Sequence, residues 1–399
     1  MTERKNTGTR GRNAKAAKMR ERRKKQRRRR LIIIGVEVVL MLILAGCCYA
    51  VSMMGLLQRH KTNKANVYRP SYETVTDEEG QVVDYSETLD EGYRNILVIG
   101  VDARDNESLA ESGDNADVMM IVSINNKTKD IRLLSVYRDT YMQMIKGDKE
   151  YEKANHQMTV GTAEDVMNML NMNLDLNIED YVLVNWSAVA KAIDLLGGVD
   201  DVEITQEMLD VGKIDGYITS VVESTGIPGT QLKEPGVYTL TGVQAVAYCR
   251  VRYVGYDYGR TERQREVVTK MVQKLQDNFL DKVDEIARAV FPNIATNIDL
   301  MDILNLASDA AKYTIVGQSG FPFDKYAEEQ YIGSIPTSYP VVPVTLESNV
   351  QKLHQYLFDV KEYNPTEKVK EISQYIEELS GIHEGEVPTV DIEELKESE

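Results

Sequence analysis

The sequence predicts an α/β protein: an α/β/α sandwich with a central mixed sheet, preceded by one N-terminal transmembrane helix. Three observations carry this expectation. From residue 93 onward, short apolar runs alternate with segments of helical period, the pattern of a layered α/β domain. Two of those runs, Val118–Ile124 and Ile131–Val136, flank the polar turn 125–130. They therefore read as a hairpin, whose antiparallel pair makes the sheet mixed. Finally, Leu31–Leu57 is almost uninterrupted apolar sequence. As a helix it would rise roughly 40 Å, more than the ~30 Å of bilayer hydrocarbon.

The charge distribution gives the anchor a direction. The 399 residues carry 47 Lys+Arg against 63 Asp+Glu, a net −16. Residues 1–30 hold 15 of the basic residues and only Glu3 and Glu21, so the other 369 residues carry a net −29. An arm this basic belongs on the cytoplasmic side. The expected location is the cell membrane, single-pass, with the N-terminus cytoplasmic and residues 58–399 extracellular. Glu37 reads as a carboxylate near the headgroups. A competing reading takes Leu44-Ala45-Gly46-Cys47 as a lipoprotein processing site, but the apolar run continues to Leu57. Attraction to anionic headgroups accounts for the arm, and no nucleic-acid partner is expected. Of three cysteines, Cys47 and Cys48 lie in the apolar run and Cys249 has no obvious partner, which excludes a disulfide scaffold.

The elements follow in order. Residues 58–92 are polar without sustained apolar period and read as a stalk. The main folded domain is expected over 93–280. It opens with the buried strand Asn95–Asp102, followed by the hairpin, a helix around Ala163–Leu170 and a strand at Tyr181–Trp186. Ala188–Leu196 reads as a helix stopped by Gly197-Gly198, and Val199–Ile204 as a strand. Residues 205–236 read as irregular. Thr241–Ala247 reads as a helix running into a short strand near Tyr248–Tyr253, and Glu262–Leu275 as a long amphipathic helix. Residues 281–360 are expected as an extension packed on the domain. Residues 361–399, with 12 acids against 4 bases, are expected as an acidic tail.

Common catalytic signatures are missing. The sequence has no Gly-Lys-Ser/Thr phosphate loop, Gly-x-Ser-x-Gly elbow or His-Glu-x-x-His helix, and its four histidines are scattered. What it has is arginine at element ends. Arg138 follows a strand, and Arg250 and Arg252 would share a face if extended. Arg260, Arg263 and Gln264 are spaced i, i+3, i+4 on one helix. Asp102 stands at the end of the first strand and Asp117 at the start of the second. Spacing alone leaves two readings open. The arginines pair with local carboxylates such as Asp257, Glu262 and Glu266, or their planar donor forks clamp phosphate oxygens. In the second reading Asp102 and Asp117 would hold a hard divalent cation.

Taken together these segments resemble the LytR-CpsA-Psr family of wall-polymer transferases. The similarity runs through Ile96–Arg104, Ala116–Ser123, Leu134–Thr140, Leu195–Asp200, Leu240–Arg252 and Asp257–Arg265. The resemblance implies a phosphotransferase that moves a glycopolymer from a polyprenyl-pyrophosphate carrier to peptidoglycan, as a phosphodiester on the muramic acid C6 hydroxyl. It further implies that Arg138, Arg250, Arg252, Arg260 and Gln264 bind the pyrophosphate, with Arg104 and Arg263 at further family positions. Asp102 and Asp117 would bind Mg²⁺ (or Mn²⁺) or assist the acceptor hydroxyl. A hydrophobic tunnel for the prenyl chain is also implied. The chain departs from the family pattern at Asn115-Ala116 and Tyr137, and over Tyr141–Met144. A pyrophosphatase using the same clamp, and a non-catalytic wall-binding or regulatory protein, are the alternatives.

Overall fold

Seven strands build the central sheet: β1 (Gln58–Arg59), β2 (Tyr93–Val101), β3 (Ala116–Asn125), β4 (Asp130–Val136), β5 (Asp180–Asn185), β6 (Ile294–Thr296) and β7 (Thr314–Phe321). The computed structural model describes residue 52 and residues 55–397, apart from 61, 63, 73–74, 77–81, 84, 86–88, 90, 103–108, 110–112 and 328. The strand order is β1-β6-β5-β2-β3-β4-β7. β2–β3, β3–β4 and β5–β6 are antiparallel, whereas β2–β5, β4–β7 and β1–β6 are parallel. The sheet is therefore mixed, as expected. The hairpin lies where its turn residues put it, with the Asn125 side chain accepting from the backbone N–H groups of Lys127 and Thr128.

Period-two alternation sorts the strand residues onto two faces. Leu97, Ile99 and Val101 of β2 join the larger core, together with α1 (Ala163–Leu174). Ile96 packs on the opposite face with Met120 and Leu133. Helix ends are set by local chemistry. Thr162 and Asp165 form a capping box at the start of α1. Asn185 caps α2 (Trp186–Leu195) by accepting from Ala188 N–H, satisfying a donor that the helix itself leaves free. A second core lies under α2, α3 (Ile214–Thr225) and α4 (Gly242–Tyr248). The long helix α5 (Tyr256–Val290) follows, and its Val268 packs on the second face of the sheet.

Several expectations are corrected. The described part of 58–92 is no stalk: β1 joins the sheet, and Val67, Tyr85 and Leu89 are buried in the main core. Scattered apolar residues without a period were enough to pin that stretch down. Residues 281–360 are not an added layer, because they supply β6 and β7 and α6 (Leu346–Phe358), whose Leu353 and Leu357 are core residues. The acidic tail contains α7 (Glu367–Ser380), which buries Val369, Ile372 and Ile376 at i, i+3, i+7 beneath its exposed acids. Residues 205–236 include helix Gln206–Asp210 and α3. Val199–Ile204 pairs with Gly236–Leu240 in a separate ribbon outside the sheet. Tyr248–Tyr253 is not a strand; its carbonyls are taken up by Arg263 instead of a neighbouring strand.

Among the described residues, no helix is long and apolar enough to cross a membrane. The expected arm 1–30, with its basic run, lies outside the described residues. So does the expected membrane helix 31–57, with Glu37, Cys47 and Cys48, except at 52 and 55–57.

Candidate functional site

One end of the sheet collects the predicted residues. β2 and β3 run antiparallel with Val101 opposite Ala116, and a register shift between Gly100 and Val101 turns the strand end. Asp102 and Asp117 are thereby brought to the same edge. Arg138 comes to that edge two residues beyond β4. The turn between α4 and α5 delivers Arg250 and Arg252, and the first turns of α5 deliver Arg260. Segments far apart in sequence thus meet at one place.

The contacts are specific. Arg138 Nη1 donates to Asp117 Oδ1 at 2.7 Å, and Arg252 Nη2 lies 3.6 Å from the same oxygen. Arg250 Nη2 donates to Asp102 Oδ2 at 3.0 Å, while its guanidinium sits 5.6 Å from the Trp186 ring centroid. Arg260, only 2% exposed, pairs with Asp257 Oδ1 at 2.6 Å and donates to the Asp117 carbonyl at 3.3 Å. Arg138 also lies 3.5 Å from Asp139, which in turn pairs with Lys153 at 3.3 Å. The reading of local ion pairing therefore holds for Arg260 with Asp257, and in part for Arg138 with Asp139. Arg138, Arg250 and Arg252 reach carboxylates from distant strands.

The cluster sets four guanidiniums against the carboxylates of Asp102, Asp117, Asp139 and Asp257. Burial raises the Asp257 carboxyl above its ordinary value, opposed by the neighbouring Arg260 guanidinium. Burial likewise pulls Arg260 down, although a guanidinium so close to a carboxylate stays charged at neutral pH. Several buried polar atoms have no hydrogen-bond partner among the described residues: Asp102 Oδ1, Asp257 Oδ2, Arg260 Nε, Gln264 Oε1 and Trp186 Nε1. Such atoms are rare in folded interiors and cost free energy. Their grouping here marks a place prepared for a polar ligand.

Two cavities open at the cluster. The smaller, about 240 Å³, is lined by Asp117, Trp186, Arg250, Arg252, Arg260 and Gln264. The larger, about 1010 Å³, has Arg138, Arg252, Asp257 and Lys325 on its wall. Arg252 belongs to both.

Not every predicted residue is in the cluster. Arg263 turns away and donates to the carbonyls of Tyr248 and Val254 at 3.1 Å, and to that of Val251. Its role is to brace the turn carrying Arg250 and Arg252. Gln264 lines the smaller cavity while donating to the Cys249 carbonyl at 3.2 Å. Arg104 lies outside the described residues. Cys249 is buried and unpaired, its thiol pushed up to about 12 by burial, so it is no nucleophile. Sequence reasoning missed Trp186, Asp139 and Lys325 as site residues, and offered Asp257 only as a local ion-pair partner. The one signal for Asp257 was its place three residues before Arg260 on a helix. Among the described residues no group of three or more His, Cys, Asp or Glu could hold a metal ion, so a cation here would rest on two carboxylates and on ligand oxygens.

Comparison with known proteins shows the family and the fold. The model of the LytR_cpsA_psr family matches residues 57–333. Biofilm regulatory protein A of Streptococcus mutans is 30% identical over 220 residues, covering 53% of this chain and 51% of that protein. The polyisoprenyl-teichoic acid–peptidoglycan teichoic acid transferase TagU of Enterococcus faecalis is 30% identical over 218 residues, covering 54% and 65%. TagU of Bacillus subtilis is 28% identical over 218 residues, covering 54% and 63%. The chain thus spans between half and two thirds of the length of these curated relatives. A solved protein of Streptococcus agalactiae superposes with a TM-score of 0.52 at 20% identity, over 76% of this chain and 93% of that one. Another from Enterococcus faecalis, described as a transcriptional regulator, gives 0.53 at 22% identity, over 74% and 98%. At that identity these two likenesses show a common fold.

Proposed function

The chain belongs to the LytR_cpsA_psr family, and from that premise we propose that it transfers a glycopolymer from a polyprenyl-pyrophosphate carrier to peptidoglycan. One observation carries the proposal: Arg138, Arg250, Arg252 and Arg260 converge on Asp102 and Asp117 beside a polar cavity. The named transferase relatives support the substrate class. In the proposed reaction a hydroxyl of peptidoglycan, the C6 hydroxyl of a muramic acid, attacks the phosphorus nearest the sugar. A new P–O bond to the acceptor forms, the P–O bond to the carrier phosphate breaks, and polyprenyl phosphate leaves.

The guanidiniums bind the pyrophosphate oxygens and stabilise the charge that builds on the departing phosphate. Phosphoryl transfer depends mainly on such preorganised charge. Asp257 takes the hydroxyl proton on its unpartnered Oδ2; a carboxyl raised by burial is the stronger base. Trp186 and Ser220 position Arg250, the latter accepting from its Nη1 at 3.4 Å.

A divalent cation fits two features of the site. Asp102 Oδ1 is a hard oxygen donor that is buried and unpartnered among the described residues. A cluster whose four arginines already face four carboxylates also gains from added positive charge when an anion binds. Asp102 and Asp117 would hold Mg²⁺ or Mn²⁺, which when bound supplies charge to the pyrophosphate oxygens. The proposal includes the N-terminal membrane anchor. Tethering the enzyme to the bilayer that confines its substrate raises the effective concentration of both.

Arg138→Ala, Arg250→Ala and Arg260→Ala each remove one arm of the clamp. Single transfer-arm losses of this kind cost on the order of 10²–10³ in kcat. Attachment of radiolabelled polymer to peptidoglycan should fall by that factor or more in folded protein. Variants that are folded and transfer polymer at the normal rate would remove the clamp, and omission of peptidoglycan should stop product formation in the unaltered enzyme.

A further inference from the structure

The larger cavity has walls that the family match does not cover. Tyr339, Val341 and the segment Glu386–Val390 line it, and all lie beyond residue 333, where that match ends. These walls are tied to the clamp. Val341 N–H donates to the Asp139 carbonyl at 2.8 Å, one residue after Arg138. Val390 N–H donates to Asp324 Oδ1 at 2.7 Å, beside Phe323 and Lys325 on the cavity wall. The cavity shares Arg252 with the smaller one, and its Arg138 holds Asp117.

Two tyrosines face this space at a conformational cost. Tyr256 and Tyr339 each have φ of 52°, and they are 79% and 57% exposed. Left-handed backbone is unfavourable for a bulky residue and is enriched at ligand-binding sites. Large rings held open to solvent at a cavity wall are surfaces for a ligand. Lys325 sits 4.6 Å from the Tyr258 ring centroid and 5.1 Å from that of Tyr137. Carboxylates of Asp139, Asp257 and Glu386 share the lining.

We infer that this cavity is a saccharide subsite, built by the C-terminal segment, that holds a sugar chain against the reacting phosphate. This rests on the transferase reading, in which everything bonded to the reacting phosphorus, apart from the carrier, is carbohydrate. The lining itself argues for the same class. The wall mixes apolar side chains such as Phe323, Val341 and Pro388 with ion-paired charges such as Arg138 and Asp257; a sugar suits both, since its hydroxyls hydrogen-bond to the charged groups that a hydrocarbon would only desolvate. The C–H faces of pyranose rings pack on aromatic rings, whose faces carry negative potential. The chain is either the peptidoglycan acceptor or the polymer being transferred.

Titration of the full-length protein in detergent with two probes tests this. One probe is a peptide-free glycan strand of alternating N-acetylglucosamine and N-acetylmuramic acid; the other is a lipid-free teichoic acid chain. The strand alone binding identifies the acceptor as occupant, and the teichoic acid alone identifies the transferred polymer. Tyr339→Gly removes the ring and suits the left-handed backbone, so its melting temperature should not fall. Its saccharide affinity should fall about tenfold, the scale of one lost ring contact. Tyr256→Ala should act in the same direction. Tyr331→Ala, an exposed tyrosine away from the cavity, should bind as the unaltered protein does. Unaltered affinity in both Tyr339→Gly and Tyr256→Ala overturns the subsite, as does failure of the normal protein to bind either probe. Failed binding in an enzyme that still transfers polymer leaves the transferase standing. Ring-dependent binding in a protein that transfers nothing overturns the transferase and leaves the subsite.

Discussion

Asp257 concentrates the chemistry of the site into one side chain. One oxygen is held by Arg260 at 2.6 Å and the other is buried without a partner among the described residues. Because burial raises its carboxyl, the residue takes up a proton at higher pH than an ordinary aspartate near 4. A base is active only when deprotonated, so activity should fall as the pH drops through that raised value. The acid limb of the kcat profile therefore lies at higher pH than an ordinary aspartate would set it. Asp257→Asn should remove that limb and lower kcat by about 10²–10⁴, while lipid-pyrophosphate binding persists through the arginines. An unchanged acid limb in Asp257→Asn would assign the proton to another group. The arginines were legible in the sequence because so many in an acidic domain demand partners. The division of labour among them was not. Arg260 and Arg263 share a helix, yet the first faces the cavity and the second braces carbonyls, and only the packing of the turn decides which.

The elements most readable from sequence were those with strong local rules. Strands β2 to β5 follow apolar runs ended by turn chemistry, and α2 ends before Gly197, whose φ is 84°. Where tertiary contacts override local signals the reading failed. The turn after α4 looks extended in sequence but is held by Arg263 and Gln264, and α7 looks acidic because only one of its faces is buried. Helix α6 shows what such burial costs. Its His354 is fully buried, stacks on Tyr363 at 3.6 Å, and places Nε2 3.1 Å from the Leu174 carbonyl. Burial pulls its pKa down to about 3. A depressed folded value means that the unfolded chain binds the proton first. The stability involved is whole above the unfolded value of about 6.5 and is lost as pH falls toward 3. Each pH unit in that window costs about 1.4 kcal/mol from this group. Urea midpoints should therefore drop between pH 6 and 4, and His354→Gln should flatten the drop. A slope unaffected by that substitution would trace acid loss to the carboxylates instead.

At the scale of the whole molecule, the family match and the folded unit have different limits. The match ends at 333, but residues 56–399 form one unit, and α7 places Val369, Ile372 and Ile376 in the main core with at most 1% exposure. Burying three such side chains contributes about 5–9 kcal/mol, comparable with the whole stability of an ordinary domain at about 5–15 kcal/mol. A chain ending at residue 360 should accordingly be unfolded or aggregated, seen as lost near-UV dichroism. A cooperative melt from that truncation would show that α7 is dispensable. The sheet has a related property. Gln58 pairs with Ala295, and Asp130 with Thr314, so each border pairing joins two strands made far apart in the chain. Polypeptide leaving the ribosome must wait until the later strand of each pair has emerged before that border can form. Ordering so much chain before such pairs are rewarded makes acquisition of the native state slow. In the interval β4 presents an unpaired rim to other molecules, which makes the yield of active protein depend on temperature and expression rate more than its final stability would suggest.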